Sequence, residues 1–327
     1  MTSTLRTTAV RISALTLAMT ILVAVFADLL ASTAPLVLSH RGRVMVLPAL
    51  TEPDAVAGRT ASEVAASLGS SDWAIWAPLR TDGRTLSSAG PSSPPGRGHP
   101  LGTDVHGYDV LGQCLYGTRT ALGLAAAVLA IALGLGVPLG ALAGSGSRGF
   151  DFLLTRAVEL TGLLPTVIAL AVVQAAGLLP STVGFVLVLG VHHAVRVARL
   201  LRGESLRLLS EPYVMAARAL GARPWRVVLT HIVPHALSPV LVTAAFSIAS
   251  VVALEAAYSF LGLGNATGLP SWGRLLGQAH TGAGATVLLP PALCVLVTTA
   301  GLLLLADGLD DAGTPRRRPA ATGLRRH

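Results

Sequence analysis

From Thr120 to Ser147 the chain carries no charged side chain, and neither does the stretch from Leu160 to Val195. Few environments accept such runs. A surface helix in water needs a polar face, whereas a helix of roughly 20 apolar residues spans the hydrocarbon layer of a bilayer. Composition agrees: 52% of the 327 residues are hydrophobic and 12% are charged, well below the roughly one-quarter charged residues of soluble domains. Aromatic residues make up only 4%. Ala, Leu, Val and Gly supply the apolar mass, and small residues let lipid-embedded helices approach closely. The expected fold class is all-α, a polytopic membrane protein of about six transmembrane helices.

The first apolar run starts at Ile12 and reaches about Leu38, with Asp28 near its outer end. Arg6 and Arg11 before it and Ala31-Ser-Thr-Ala34 after it would also suit a cleaved signal peptide. The run is long for that, which favours a retained N-terminal helix over 1–38. Residues 39–117 read as an outer loop and pre-helix segment. One short amphipathic helix is expected within 61–79 (Val64, Leu68, Trp73, Trp76), and a proline-rich linker ends near Gly98. A five-helix core follows over 118–309. Its first span carries Gly136, Gly140 and Gly144 on one face, a generic helix-packing stripe. The stretch 160–195 is too long for one span, and Gly177 to Ser181 divides it into two antiparallel helices. His231–Leu254 and Thr281–Ala306 complete the set, the last with Pro290-Pro291 as a kink. A basic tail occupies 310–327.

The net charge is +8, and every cation is Arg. Without Lys the chain has no phosphate-binding lysine of G-x-x-x-x-G-K-[ST], so any ATP chemistry belongs to another subunit. The arginines cluster between spans at 148–156, 196–226 and 316–326, which reads as topology in a lipid bilayer and not as nucleic-acid binding. Both termini are then cytoplasmic, in a multi-pass protein of the plasma or inner membrane. No nucleophile–base pair, H-E-x-x-H or glycine-rich phosphate loop is present, so no catalytic residue, metal site or cofactor is expected. Cys114 and Cys294 read as small apolar side chains. His192 and His193 lack ligand spacing and read as packing residues. Asp28, Glu159 and Glu255 lie in or beside spans, where acids are functional candidates unless paired or solvated; Arg156 stands one turn from Glu159.

The segment 204–232, between the fourth and fifth spans, is the informative one. Ser210 and Glu211 precede Pro212, a helix start; Tyr213, Ala216, Ala217 and Leu220 share a face, and Gly221 is a left-handed stop. Pro224 opens a second helix with Trp225 and Val228 on one side. A flat Ala-Ala face suits a helix that lies in a groove of another protein. This stretch resembles the EAA motif of binding-protein-dependent ABC importer permeases, the coupling helix that docks on the ATPase. Ala216 and Ala217 match its alanines, Gly221 its glycine and Pro234 its closing proline; Met215 stands where the motif has glutamate.

Three further stretches resemble the dipeptide/oligopeptide/nickel branch of that family. His99-Pro-Leu-Gly102-Thr103-Asp104, with Asp109 following, matches the segment before its second helix, although Tyr108 and Gln113 replace usual arginines. Glu255-Ala-Ala-Tyr-Ser-Phe-Leu-Gly262-Leu-Gly264 with Pro270-Ser-Trp272-Gly273 matches the outer turn between its fifth and sixth helices. Asp307-Gly-Leu-Asp-Asp311 matches the exit from the last. The resemblance runs through 99–315 and implies the ABC importer type I permease fold. It also implies a second permease subunit (a heterodimer), two ABC ATPase subunits, an extracytoplasmic solute-binding protein, and peptides as the default solute, with nickel and other small solutes open. The rival readings are a secondary transporter working alone and a non-transporting membrane protein of the same fold. The first would be expected to carry inverted repeats, and the sequence has none that is visible.

Overall fold

The computed structural model describes residues 3–40, 43–48, 61–69, 72–96, 98–145, 148–163, 165–177, 179, 181–264, 269–278, 282 and 284–313. Helices dominate. Among the described residues four are long and apolar enough to cross a membrane: α4 (Val110–Gly144), α7 (Ser181–Leu209), α10 (Val233–Phe260, with the turn before it) and α12 (Ala285–Gly313). A helix pair, α5 (Arg148–Leu163) and α6 (Thr166–Ala175), bent by 85°, is long and apolar enough to cross only if taken together. The expected division at 177–181 is present, with Gly177 at φ +63°. The second break, unexpected, falls at Pro165, the N-cap of α6. Proline has no N–H to continue the ladder and holds its predecessor out of the helical region.

The first helix, α1 (Ser3–Val25), contains the shorter apolar stretch Val10–Val25. It does not run to 38 as the apolar pattern suggests. After Val25 come one turn, α2 (Ala27–Leu30), and then a strand, β1 (Val37–His40). The stop has a cause in α4. Arg119 donates from Nε to the Ala24 carbonyl (2.9 Å) and from Nη2 to the Val25 carbonyl (3.2 Å) and to Asp28 Oδ2 (2.9 Å). These bonds serve last-turn carbonyls that a helix end leaves unmatched. Asp28 is therefore paired, as is Glu159, which meets Arg156. α1 also packs on α12, where Gly308 admits Val10: a Cβ on Gly308 would lie 2.5 Å from a Val10 methyl.

The polar segment holds more structure than its composition suggests. β1 is the centre of a three-stranded antiparallel sheet, between β2 (Arg43–Val46) and β3 (Trp73–Ile75). All spans are helical, and the sheet adds a small β element outside them. The expected amphipathic helix is short, α3 (Ala61–Ala66), with Val64 buried against Ala34 and Trp76. Trp73 belongs to the strand: β-branched and aromatic side chains at alternate positions suit a pleated surface.

The glycine stripe works as expected. A Cβ at Gly136 would sit 2.6 Å from the Ala194 carbonyl, at Gly140 2.6 Å from that of Ala198, and at Gly144 2.3 Å from Ser205 Cβ. α4 and α7 therefore pack backbone to backbone.

Candidate functional site

Two regions, at opposite ends of α10, hold the residues that the sequence singles out. The first is α8 (Pro212–Ala219). Glu211 is its N-cap and Pro212 its first residue. The Glu211 carboxylate makes no capping bond and faces Arg207 at 3.6 Å, while the Ser210 hydroxyl donates back to the Arg207 carbonyl. Gly221, at φ +86°, ends the helix: its N–H meets the Arg218 carbonyl and the Ala222 N–H meets that of Ala217. This is the Schellman arrangement, in which a left-handed glycine lets the chain satisfy its last carbonyls.

α8 is seated by one side chain that the sequence pattern did not mark. Val214 is fully buried among Val197, Leu201, Leu208 and Ile232. Around it the surface is apolar and open: Tyr213 is 43% exposed, Met215 58% and Leu220 89%. Ala216 is exposed and Ala217 half-buried. Beyond Gly221, α9 (Pro224–Val227) leads into a π turn over Val228–Ile232 that runs directly into α10, with Pro234 in its first turn. A proline there has no N–H for the α ladder, and the wider π turn takes up the mismatch. The Trp225 side chain lies outside the described residues.

The second region lies at the start of α4 and the end of α10, and here the named residues hold one another. Asp104 is fully buried. Its Oδ1 accepts from the N–H groups of His106 (2.9 Å) and Tyr108 (2.8 Å), and its Oδ2 accepts from Gln113 Nε2 (2.7 Å) and Gln278 Nε2 (2.8 Å). Gln113 Oε1 in turn accepts from Arg274 (3.1 Å). A buried carboxylate needs such donors, and this lattice ties the loop before α4 to α11 (Trp272–Gly277). Gln113 thus carries a defined role at a position where arginine was expected.

Asp109 caps α4 through the Gly112 N–H (2.7 Å) and holds His99 (2.7 Å). Thr103, buried, takes the Ser93 N–H and donates to the Gly90 carbonyl. Gly102, at φ +75°, could not carry a side chain, since a Cβ would lie 2.4 Å from the Ser93 carbonyl. Glu255 is buried and accepts at Oε1 from Ser259 (2.9 Å) and Ser271 (2.7 Å). Gly262, at φ +74°, closes α10 in a second Schellman arrangement, with Leu263 N–H on the Tyr258 carbonyl. Trp272 is buried; its Nε1 donates to the Cys114 carbonyl (2.9 Å), and its ring fills the space left by Gly117. Trp272→Ala should cost about 3–5 kcal/mol, typical of an aromatic removed from a core. Thermal unfolding in detergent reads this, and an unchanged midpoint would contradict it.

Other candidates stay apart from both regions. His193 is buried, its ring 5.6 Å from that of His192, which lines an apolar cavity of about 410 Å³ with Leu160, Thr161 and Val188. Among the described residues no three His, Cys, Asp or Glu side chains are grouped to hold a metal ion. The two regions are an exposed, largely apolar short helix and a buried polar lattice, joined by α10.

Residues 136–319 match the family described as binding-protein-dependent transport system inner membrane component. A dipeptide transport system permease protein of Alkalihalophilus pseudofirmus is 31% identical over 252 residues, covering 75% of this chain and 82% of the relative. An oligopeptide transport system permease protein of Bacillus subtilis is 31% identical over 255 residues, covering 75% and 81%. In fold, the chain is similar to a subunit of the inward-facing MetNI methionine ABC transporter. The TM-score is 0.50 at 20% identity, over 62% of this chain and 97% of that one.

Proposed function

Because the chain belongs to the family of binding-protein-dependent transport system inner membrane components, we propose that it works beside a second, homologous permease, above two ATPase subunits that dock on α8. It is the membrane permease subunit of an ATP-binding-cassette importer. The observation that carries the docking assignment is the surface of α8. A short helix, seated by Val214 and ended by Gly221, displays Tyr213, Met215 and Leu220 where no part of the chain covers more than about half of each. Exposed apolar groups clustered on one element mark an interaction site.

On this reading α8 and both termini face the cytoplasm. The Asp104–Gln113–Arg274–Gln278 lattice then sits at the outer mouth, where an extracytoplasmic solute-binding protein delivers its cargo. Peptides are the solute class that the names of the relatives support. ATP closure of the motor subunits moves α8, and α10 carries the movement outward. An equilibrium responds only to a contact that differs between its two states, so the docked surface must be gripped differently when ATP is bound.

Purification of a tagged chain from its native membrane in mild detergent tests the assignment. A second permease and an ATP-hydrolysing subunit should co-purify in stoichiometric amounts, with vanadate-sensitive hydrolysis. Recovery of the chain alone, with proton- or sodium-driven uptake once reconstituted, would favour a secondary transporter instead.

A further inference from the structure

Tyr213 is the one residue of α8 whose ring reaches across to the far side of the π turn. Its centroid lies 6.0 Å from that of His231, at 70° between the planes, and 5.8 Å from that of His235, at 36°. The two histidines are one helical turn apart and are themselves linked, with His235 Nδ1 2.7 Å from the His231 carbonyl. A carbonyl only accepts, so Nδ1 carries the proton and the ring is held in one orientation. His231 lies inside the π turn and His235 just beyond it, flanking Pro234. The same stretch therefore contains a π turn beside a proline, where a helix's hydrogen-bond ladder is interrupted, and the two rings that meet Tyr213. Neither histidine is one of the positions matched to the motif, although His231 lies within its span.

We propose that His231 and His235 are positioning residues that grip α8 through Tyr213, so that displacement of α8 turns α10 about the π turn. Val214 fixes where α8 sits; the ring contacts set what its movement pulls on. The proposal rests on the reading that an ATPase docks on α8, and the test separates the two.

The whole transporter is purified with a nitroxide at Leu261→Cys, an exposed position at the far end of α10, in a Cys114→Ala, Cys294→Ala background. Mg-ATP with vanadate is the probe, and the spectral fraction that shifts is the readout. In the parent, the label should shift on trapping. In His235→Ala the ATPase should still co-purify and still trap nucleotide, while the shifted fraction, relative to the unshifted, falls about threefold to tenfold, the range for removed ring contacts. His235→Phe, which keeps a ring and loses the hydrogen bond, should restore most of it; a loss of packing alone would lower assembly and not this ratio. A full shift in His235→Ala, or no recovery in His235→Phe, would overturn the proposal. So would a parent that binds the ATPase and traps nucleotide without any shift, whereas a parent that binds no ATPase overturns the docking reading itself.

Discussion

Ala216→Trp should leave the chain folded in the membrane at near wild-type yield and abolish ATP-driven uptake. The position is chosen from the structure. Ala216 is exposed, whereas its neighbour Ala217 is half-buried and Val214 wholly so, so of the three it is the position whose side chain opens to the surface. A large side chain there meets whatever lies against the exposed face. An indole forced into a fitted groove costs about 1–3 kcal/mol, which weakens docking by roughly tenfold to a hundredfold. Transport falls further, because a motor displaced by several ångströms pushes at the wrong place. The measurements are membrane yield, ATPase co-purification and vesicle uptake. Normal uptake by the Ala216→Trp transporter would remove α8 from the coupling path.

Gly140→Leu should act at the other level and prevent the helices from assembling. The first atom of any side chain there would stand 2.6 Å from the Ala198 carbonyl and 2.9 Å from Leu201 Cβ, so α4 and α7 would have to separate along their whole contact. In lipid no hydrophobic force holds two spans together, and close packing is what the separation forfeits. Little folded protein should be recovered after detergent extraction. Gly134→Leu is the matched control: it lies on the same helix, and a Cβ there meets nothing within 4 Å. Equal recovery of the two variants would mean that the stripe is not a packing seam.

The spans, the seam and the left-handed stop at Gly221 were legible because each rests on local chemistry: apolar length, four-residue spacing and the freedom of glycine. Val214 was not, because its neighbours are apolar too and only the seating of α8 on α7 and α10 distinguishes it. The break at Pro165 was hidden inside an apolar run that reads as continuous. Strand β1 escaped for a related reason: Val37-Leu38 extends the apolar stretch of α1, and the end of that helix is imposed by Arg119, far along the chain. The outer lattice was half legible. Asp104, Asp109 and Glu255 were marked, but Gln113 seemed a mere departure, Ser271 stood in a matched stretch without a role of its own, and Gln278 carried no signal. Gln278 meets Asp104 across 174 residues of sequence, and even Gln113 and Ser271, 9 and 16 residues from Asp104 and Glu255, reach them only through turns that residue type does not announce.

From Pro224 to Phe260 the backbone stays helical through the π turn. At about 1.5 Å per residue that is a rod of roughly 55 Å, against a hydrocarbon slab of about 30 Å. The surplus of roughly 25 Å is more than the hydrocarbon layer can take up if the rod stands upright. On the proposed docking of a motor subunit at α8, that surplus is unbroken helical backbone along which a movement of α8 would reach the far end of α10.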